Sequence, residues 1–385
     1  MVEVSTSTLA QAAAYGSRAA TTLTAGLAAR GVAPAQALGA SEAQIAPHVA
    51  GSPFLQDGRF GNLEPPMPVE GSPAGALGDM LRRPGRPAHP IIVTTPDFAH
   101  QARDLAVTWL GHATSLVEID GSRVLTDPVF SRRCSPSQLV GPGRMHPAPC
   151  SIAELPKLDV VLISHDHYDH LDMSSVIELA ATQPDAVFVA PIGVGAHLLS
   201  WGIPASRIRQ TDWHGSVEVA AAGGPLTFTA TPARHFSGRG LSRNLTQWAS
   251  WAIVGREHRV FFSGDTGFTE GFADVGAKLG PFHLTIIAIG AYDVLWPDIH
   301  INPEEAVQVH RMLSAELGSD AALLPIHWGT FNLARHDWGD PIARVLRGAA
   351  SESVTVLTPQ PGGDVDLVTR TGSGTVQPDW WERSA

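Results

Sequence analysis

From Leu105 onward the chain alternates short apolar runs with clusters of turn residues, and the runs carry the β-branched and aromatic residues that suit strands. LAVTWL (105–110), TSLVEI (114–119) and RVLTD (123–127) come first, separated by GHA and DGS. DVVLIS (159–164), AVFVA (186–190), SVEVAA (216–221), PLTFTAT (225–231), WASWAIV (248–254), RVFFS (259–263), LTIIAI (284–289) and ALLPI (322–326) follow. Helical patterns fall between them. One is MSSVIELAAT (173–182). Another begins INPEEAVQVHRMLSAELG, where Asn302 caps, Pro303 takes the first turn and Glu305 completes a capping-box arrangement. Ala306, Val309, Leu313 and Leu317 then share one face. The pattern predicts a layered α/β fold with many strands.

Before Leu105 the texture differs. Residues 1–50 are rich in Ala, Thr and Gly, and Leu9, Ala13, Ala20, Leu23 and Leu27 mark one weak helical face, as in a helical or partly disordered leader. Residues 51–104 carry dense Pro and Gly, which predicts extended segments wrapped over a core. The basic LRRPGR within them reads as solvated surface. Residues 105–385 are left as the main domain.

Composition narrows the class. The 385 residues are 44% hydrophobic and 16% charged, as in a globular chain of one large or two smaller domains. The net charge of −11 opposes non-specific nucleic-acid binding and long-range attraction to anionic lipid, which a local basic patch could still override. Cys134 and Cys150 are too few for a disulfide framework and read as free thiols, although the sequence leaves their pairing open. The longest apolar runs fall well short of the roughly 20 residues that a membrane span requires. The N-terminus lacks the basic and apolar regions of a secretory signal. A cytoplasmic location follows as the expectation, with peripheral contact at a membrane surface left open.

The chemistry concentrates in VLISHDHYDHLD (161–172), where His165, His167, Asp169 and His170 follow a strand-like run within six residues. Three later runs also end near metal-competent side chains. PLTFTAT leads to His235, RVFFS to Asp265 and ALLPI directly to His327. Strand ends are where α/β proteins usually place their sites. Seven candidate ligands exceed the four of a single tetrahedral zinc. They suit two metals about 3.5–4 Å apart, sharing a carboxylate and a hydroxide. Imidazole with carboxylate favours zinc or iron, with manganese a further alternative, and the lack of Cys ligands argues against a purely structural thiolate site. Asp127, at the end of VLTD, is a candidate to orient a ligand histidine. His112, in the turn of WLGHAT, is either a supporting or a purely structural residue. His300, ahead of the capped helix, is a candidate phosphate-binding or acid group. Trp109, Trp248, Trp251, Trp296 and Trp328 are expected mainly in the core.

WLGHATSLVEIDG, LTDPVFSRRCSPSQLVGP, LPKLDVVLISHDHYDHLD, FFSGDTGF, IGAYD, NPEEAVQVH and IHWGTF, in this order and spacing, resemble the metallo-β-lactamase superfamily. Within it they are most similar to the phospholipase D family that hydrolyses N-acylphosphatidylethanolamine. The resemblance runs from about residue 58 to about residue 340 and does not cover the Ala-rich leader. It implies an αββα sandwich with a binuclear site at one sheet edge. It further implies one zinc on His165, His167 and His235, the other on Asp169, His170 and His327, and Asp265 between them, with functional roles for Asp127 and His300. The implied reaction is hydrolysis of a lipid phosphodiester to phosphatidic acid and an N-acylethanolamine by a metal-bridged hydroxide. In it Asp265 holds the metal pair, Asp169 relays a proton, and His300 stabilises the phosphate or assists the leaving group. FSGRGLSRNLTQWAS after His235 and the DVLWPD insert before His300 depart from the family's pattern, so the chemistry transfers better than the lipid's identity. Competing expectations are a phosphodiesterase on smaller soluble diesters and a lactonase or carboxyl-ester hydrolase on the same metals. A nuclease, which the charge opposes, and a non-enzymatic metal scaffold complete the set. The expected partner is a phospholipid or other phosphodiester substrate and no nucleic acid, with a homodimer left open.

Overall fold

Alternation along the strands decides the layering. In Val160–Leu162 (β4), Val160 and Leu162 join one buried cluster while Val161 joins another, because successive side chains of a strand point to opposite faces. Both faces are therefore covered, which explains why the central strands read as unbroken apolar runs. The computed structural model describes residues 34–69, 85–372 and 379–382. The helical face expected over Leu9–Leu27 and most of LRRPGR lie outside the described residues.

Two seven-stranded mixed sheets form the centre. The first joins Leu105–Gly111 (β1), Thr114–Ile119 (β2), Ser122–Thr126 (β3), β4, Val187–Pro191 (β5) and Ile208–Thr211 (β6), with Asp364–Asp366 (β14) antiparallel on β1. The second joins Ser216–Ala221 (β7), Gly224–Thr231 (β8), Ser250–Val254 (β9), Arg259–Phe262 (β10), Leu284–Ala288 (β11), Ala322–Ile326 (β12) and Thr355–Val356 (β13). In each sheet a meander of antiparallel strands gives way to parallel ones, β3 to β6 and β10 to β13. Val107, Val117 and Val124 of the first sheet and Phe228, Trp251 and Ile253 of the second belong to the core between them. On the far side of the first sheet, Val161, Phe188 and Ala190 pack with Val176 and Leu179 of helix Met173–Thr182 and Val194 and Leu198 of helix Val194–Ser200. Helices Gly271–Leu279, Pro303–Ser314 and Asp340–Glu352 bury Phe272, Val309 and Val345 in the core that includes the second sheet. The order is αββα, as expected.

The expected helix at 173–182 and the expected strands at 216–221 and 322–326 coincide with observed elements. The capping box at the start of helix Pro303–Ser314 is formed: Glu305 N donates to Asn302 Oδ1 at 2.9 Å and Asn302 N donates to Glu305 Oε2 at 2.8 Å. Such a cap contributes about 1 kcal/mol. Within the expected leader, helix Glu42–Val49 buries Ile45 and Val49 in the main core. The five tryptophans singled out are all buried, and Cys134 and Cys150 are buried free thiols. Among the described residues no helix is long and apolar enough to cross a membrane.

Candidate metal centre

Four strand ends and one turn converge at one edge of the sandwich. His165 to His170 follow β4, His235 follows β8, Asp265 follows β10, His327 follows β12, and His112 occupies the β1–β2 turn. The loops after β4 and β10 approach so closely that a Cβ on Gly264 would lie 2.5 Å from the Ser164 Cβ, and Gly264 has φ +54°. Only glycine meets both conditions at low cost. His112, Asp127 and His327 also have positive φ, at 53°, 33° and 63°. Non-glycine residues in this region carry local strain, and such strain gathers at functional sites.

All seven candidate ligands named from the sequence are buried and meet here. His165 Nε2 lies 2.8 Å from His167 Nδ1, and His235 Nε2 lies 3.2 Å from the same atom. Asp265 stands between this trio and the second group. Its Oδ2 is 3.9 Å from His165 Nε2, 3.7 Å from His235 Nε2 and 3.1 Å from His170 Nε2, and its Oδ1 is 3.2 Å from His327 Nε2. Asp169 Oδ2 is 3.3 Å from His327 Nε2. His112 Nε2 donates to the same Asp169 oxygen at 3.1 Å, so a residue whose role the sequence left open joins the cluster. His300 Nδ1 lies 3.9 Å from Asp265 Oδ2.

Groups around the cluster fix which imidazole nitrogen faces inward. His170 Nδ1 donates to Asp127 Oδ2 at 2.6 Å, and His235 Nδ1 donates to the Ile299 carbonyl at 2.9 Å. Ser164 Oγ donates to Asp127 Oδ2 at 2.6 Å, so His165 Nδ1 donates to Ser164 Oγ at 2.9 Å. Each of these rings has spent its N–H outward, and in the neutral form each turns an Nε2 lone pair inward. The Asp265 carboxylate they face is buried and, among the described residues, accepts no hydrogen bond of normal geometry. Converging lone pairs around a buried carboxylate repel unless positive charge lies among them. The donor set therefore fits metal cations, with His112, Asp169, His170 and His327 forming one candidate group and His165, His167 and His235 another.

Residues 122–328 match the β-lactamase superfamily domain. The chain is 50% identical over 351 residues to an uncharacterized protein of Mycobacterium tuberculosis, across 90% of this chain and 91% of that relative. It is 39% identical over 253 residues to N-acyl-phosphatidylethanolamine-hydrolyzing phospholipase D 1 of Caenorhabditis elegans, across 64% of this chain and 69% of the relative. The chain belongs to the metallo-β-lactamase superfamily. Its architecture also matches Igni18, a metallo hydrolase of Ignicoccus hospitalis, with a TM-score of 0.52 and 21% identity over 68% of this chain and 97% of that one. As a member of this superfamily the protein is a metal-dependent hydrolase, similar to the N-acylphosphatidylethanolamine-hydrolysing phospholipases D.

Electrostatics in this metallo-β-lactamase centre follow from burial opposed by two carboxylates. Burial disfavours the His327 cation, but Asp265 and the Asp169 hydrogen bond outweigh it and hold the pKa up at about 9. Burial likewise opposes protonation of His170, and Asp265, Asp169 and Asp127 together keep its pKa well above the ordinary value. In His165 burial and the neighbouring imidazoles win, and its pKa falls well below the usual range. Burial brings His167 down to about 4 and His300 to about 3. The carboxylates thus favour positive charge beside His170 and His327, the kind of charge that a metal would supply. A pocket of about 690 Å³ opens beside the cluster, lined by His300, Tyr292, Asp293, Pro297, Arg335 and Arg344.

Proposed function

We propose that the protein is a phosphodiesterase of phospholipase D type, acting on N-acylphosphatidylethanolamine-like lipids with two zinc ions at the strand-end cluster. The observation that carries this reading is the meeting of two buried imidazole groups at Asp265, next to a pocket that reaches His300. The 39% identity to a phospholipase D with that lipid substrate supports the choice of phosphodiester.

His165, His167 and His235 would hold one ion, Asp169, His170 and His327 the other, and Asp265 both. Bound there, such ions supply a water acidified to react near neutral pH and positive charge for the phosphoryl oxygens. The chain's own residues do the rest. Asp127 fixes the His170 ring and the Ser164 main chain, accepting from Ser164 N at 2.7 Å. Asp169, already accepting from His112, offers its carboxylate to a departing proton. His300 lines the pocket as a neutral imidazole, because burial holds its pKa at about 3, and it presents an N–H to a phosphoryl oxygen of bound substrate. Val294, 59% exposed on the lining of the same pocket, offers an apolar contact to an acyl chain.

Elemental analysis of purified protein, together with a panel of long-chain N-acylated phospholipids, soluble phosphodiesters and carboxyl esters, tests the reading. Two equivalents of zinc and preferred turnover of the lipid diester are expected, and Asp265→Asn loses metal and activity together. Full turnover by a demetallated preparation, or turnover of carboxyl esters alone, would overturn it.

A further inference from the structure

Arg239 lies four residues beyond His235 and is only 5% exposed. Its guanidinium is spent on main-chain carbonyls. Nη1 donates to the carbonyls of Asp166 at 2.6 Å and Leu171 at 2.7 Å, while Nε and Nη2 donate to the carbonyl of Ala37 at 3.0 and 2.8 Å. The first two carbonyls bracket the segment that carries His167, Asp169 and His170. The third belongs to a part of the chain more than a hundred residues away in sequence. The guanidinium stacks over the Tyr168 ring at 4.2 Å, and Tyr168 Oη donates back to the Arg239 carbonyl at 2.5 Å.

A second set of bonds fastens the same pieces. The Asp166 carboxylate accepts from Gly238 N at 2.7 Å, Thr246 Oγ1 at 2.9 Å and His197 Nε2 at 3.3 Å. The other nitrogen of that ring, His197 Nδ1, accepts from Ala40 N at 3.0 Å. Trp201 Nε1 donates to the Gln36 carbonyl at 2.7 Å. Gly39, at φ +74°, lies so close to His197 that a Cβ there would sit 2.3 Å from Nδ1. Residues 36–40 thus form a strap laid against the histidine loop and clamped to it through Arg239 on one side and His197–Asp166 on the other.

We propose that Arg239 is a positioning residue for the metal centre, and that the strap of residues 36–40 is its backstop. A planar fork holds two carbonyls at a set separation, whereas the ammonium of lysine, a single point of charge on a flexible stem, does not. Fixing Asp166 and Leu171 fixes the ends of the segment from which three cluster side chains project. Outer groups that orient a metal site typically change its affinity or activity 10–100-fold when removed. The inference rests on the reading that this loop holds cations.

The test compares wild type with Arg239→Lys, Arg239→Ala and Gly39→Ala in the full-length zinc protein. Zinc affinity is read by chelator competition, kcat and KM on the lipid diester, and folding by the thermal midpoint. Both Arg239 variants are expected to bind zinc about 10–100-fold more weakly, with kcat lowered and KM within about threefold. Methylguanidinium added to Arg239→Ala is expected to restore both affinity and kcat. Gly39→Ala should shift them in the same direction by less. If Arg239→Ala does not fold, Arg239→Lys and Gly39→Ala carry the comparison. Variants with a lowered midpoint but wild-type zinc affinity and kcat would reduce Arg239 to a structural role and overturn the inference. Wild-type protein that binds no cation would instead remove the proposed function itself, so the two failures are distinct.

Discussion

His170 shows how much of the centre depends on single atoms outside it. Its Nδ1–H goes to Asp127, and only then does Nε2 face Asp265. Asp127 also receives both the N–H and the Oγ–H of Ser164, so its two oxygens are committed to the end of β4. Asp127→Asn puts an amide N–H where one of these donors now points. Zinc affinity and kcat are expected to fall by about 10–100-fold while the protein still folds, measured by chelator competition and steady-state kinetics. Unchanged affinity would mean that the ring needs no such partner. At this scale the sequence was legible where residue type and local spacing coincide. HxHxDH announces itself, and strand ends pointed to His235, Asp265 and His327. His112 was not legible, because a lone histidine in a turn carries no local signal. Its meaning lies in Asp169, 57 positions away, and in a backbone held at φ 53°.

The central strands were readable because they are buried. Strands covered on both faces must be apolar throughout, and those runs stood out. Ile208–Thr211, Thr355–Val356 and Asp364–Asp366 sit at sheet edges, short and partly exposed, and their sequences need no apolar run. Helix Pro303–Ser314 was legible from its cap and its apolar face. That face also buries His310, whose Nδ1 lies 2.8 Å from Thr285 Oγ1 of β11. Burial lowers the His310 pKa to about 4, whereas the unfolded chain protonates near 6.5. The folded state therefore refuses a proton that the unfolded state accepts. The contribution of this group is full above about pH 6.5 and is lost as the pH falls toward 4, on the order of 3 kcal/mol in all. Denaturant titrations of wild type and His310→Gln across that window should show a shallower pH dependence in the variant. Parallel curves would show that His310 does not titrate with folding.

At the scale of the whole molecule the cluster is one of the places where the two sheets meet. His165, His167, Asp169 and His170 leave the first sheet, while His235, Asp265 and His327 leave the second. Cations held by both would bind the folded protein and not the unfolded one, adding about 4 kcal/mol when free metal is a thousandfold above the dissociation constant. Chelation is therefore expected to lower the thermal midpoint by on the order of 5 °C, reversed by zinc. A midpoint indifferent to chelator would count against ions shared between the sheets. The layered α/β class was readable from apolar runs alternating with helical patterns, and the αββα arrangement entered only through the family resemblance. The strap of residues 36–40 was not readable, because it acts through main-chain carbonyls that any residue type would supply.

The order in which these side chains appear along the chain bears on its birth at the ribosome. Of the seven proposed ligands His165 emerges first and His327 comes 162 positions later, after most of both sheets has been made. A nascent chain halted before β12 would carry His165 to His170, His235 and Asp265 without His327, leaving the proposed ligand set incomplete. A complete set of the proposed ligands would thus exist only toward the end of synthesis, once β12 has joined its sheet.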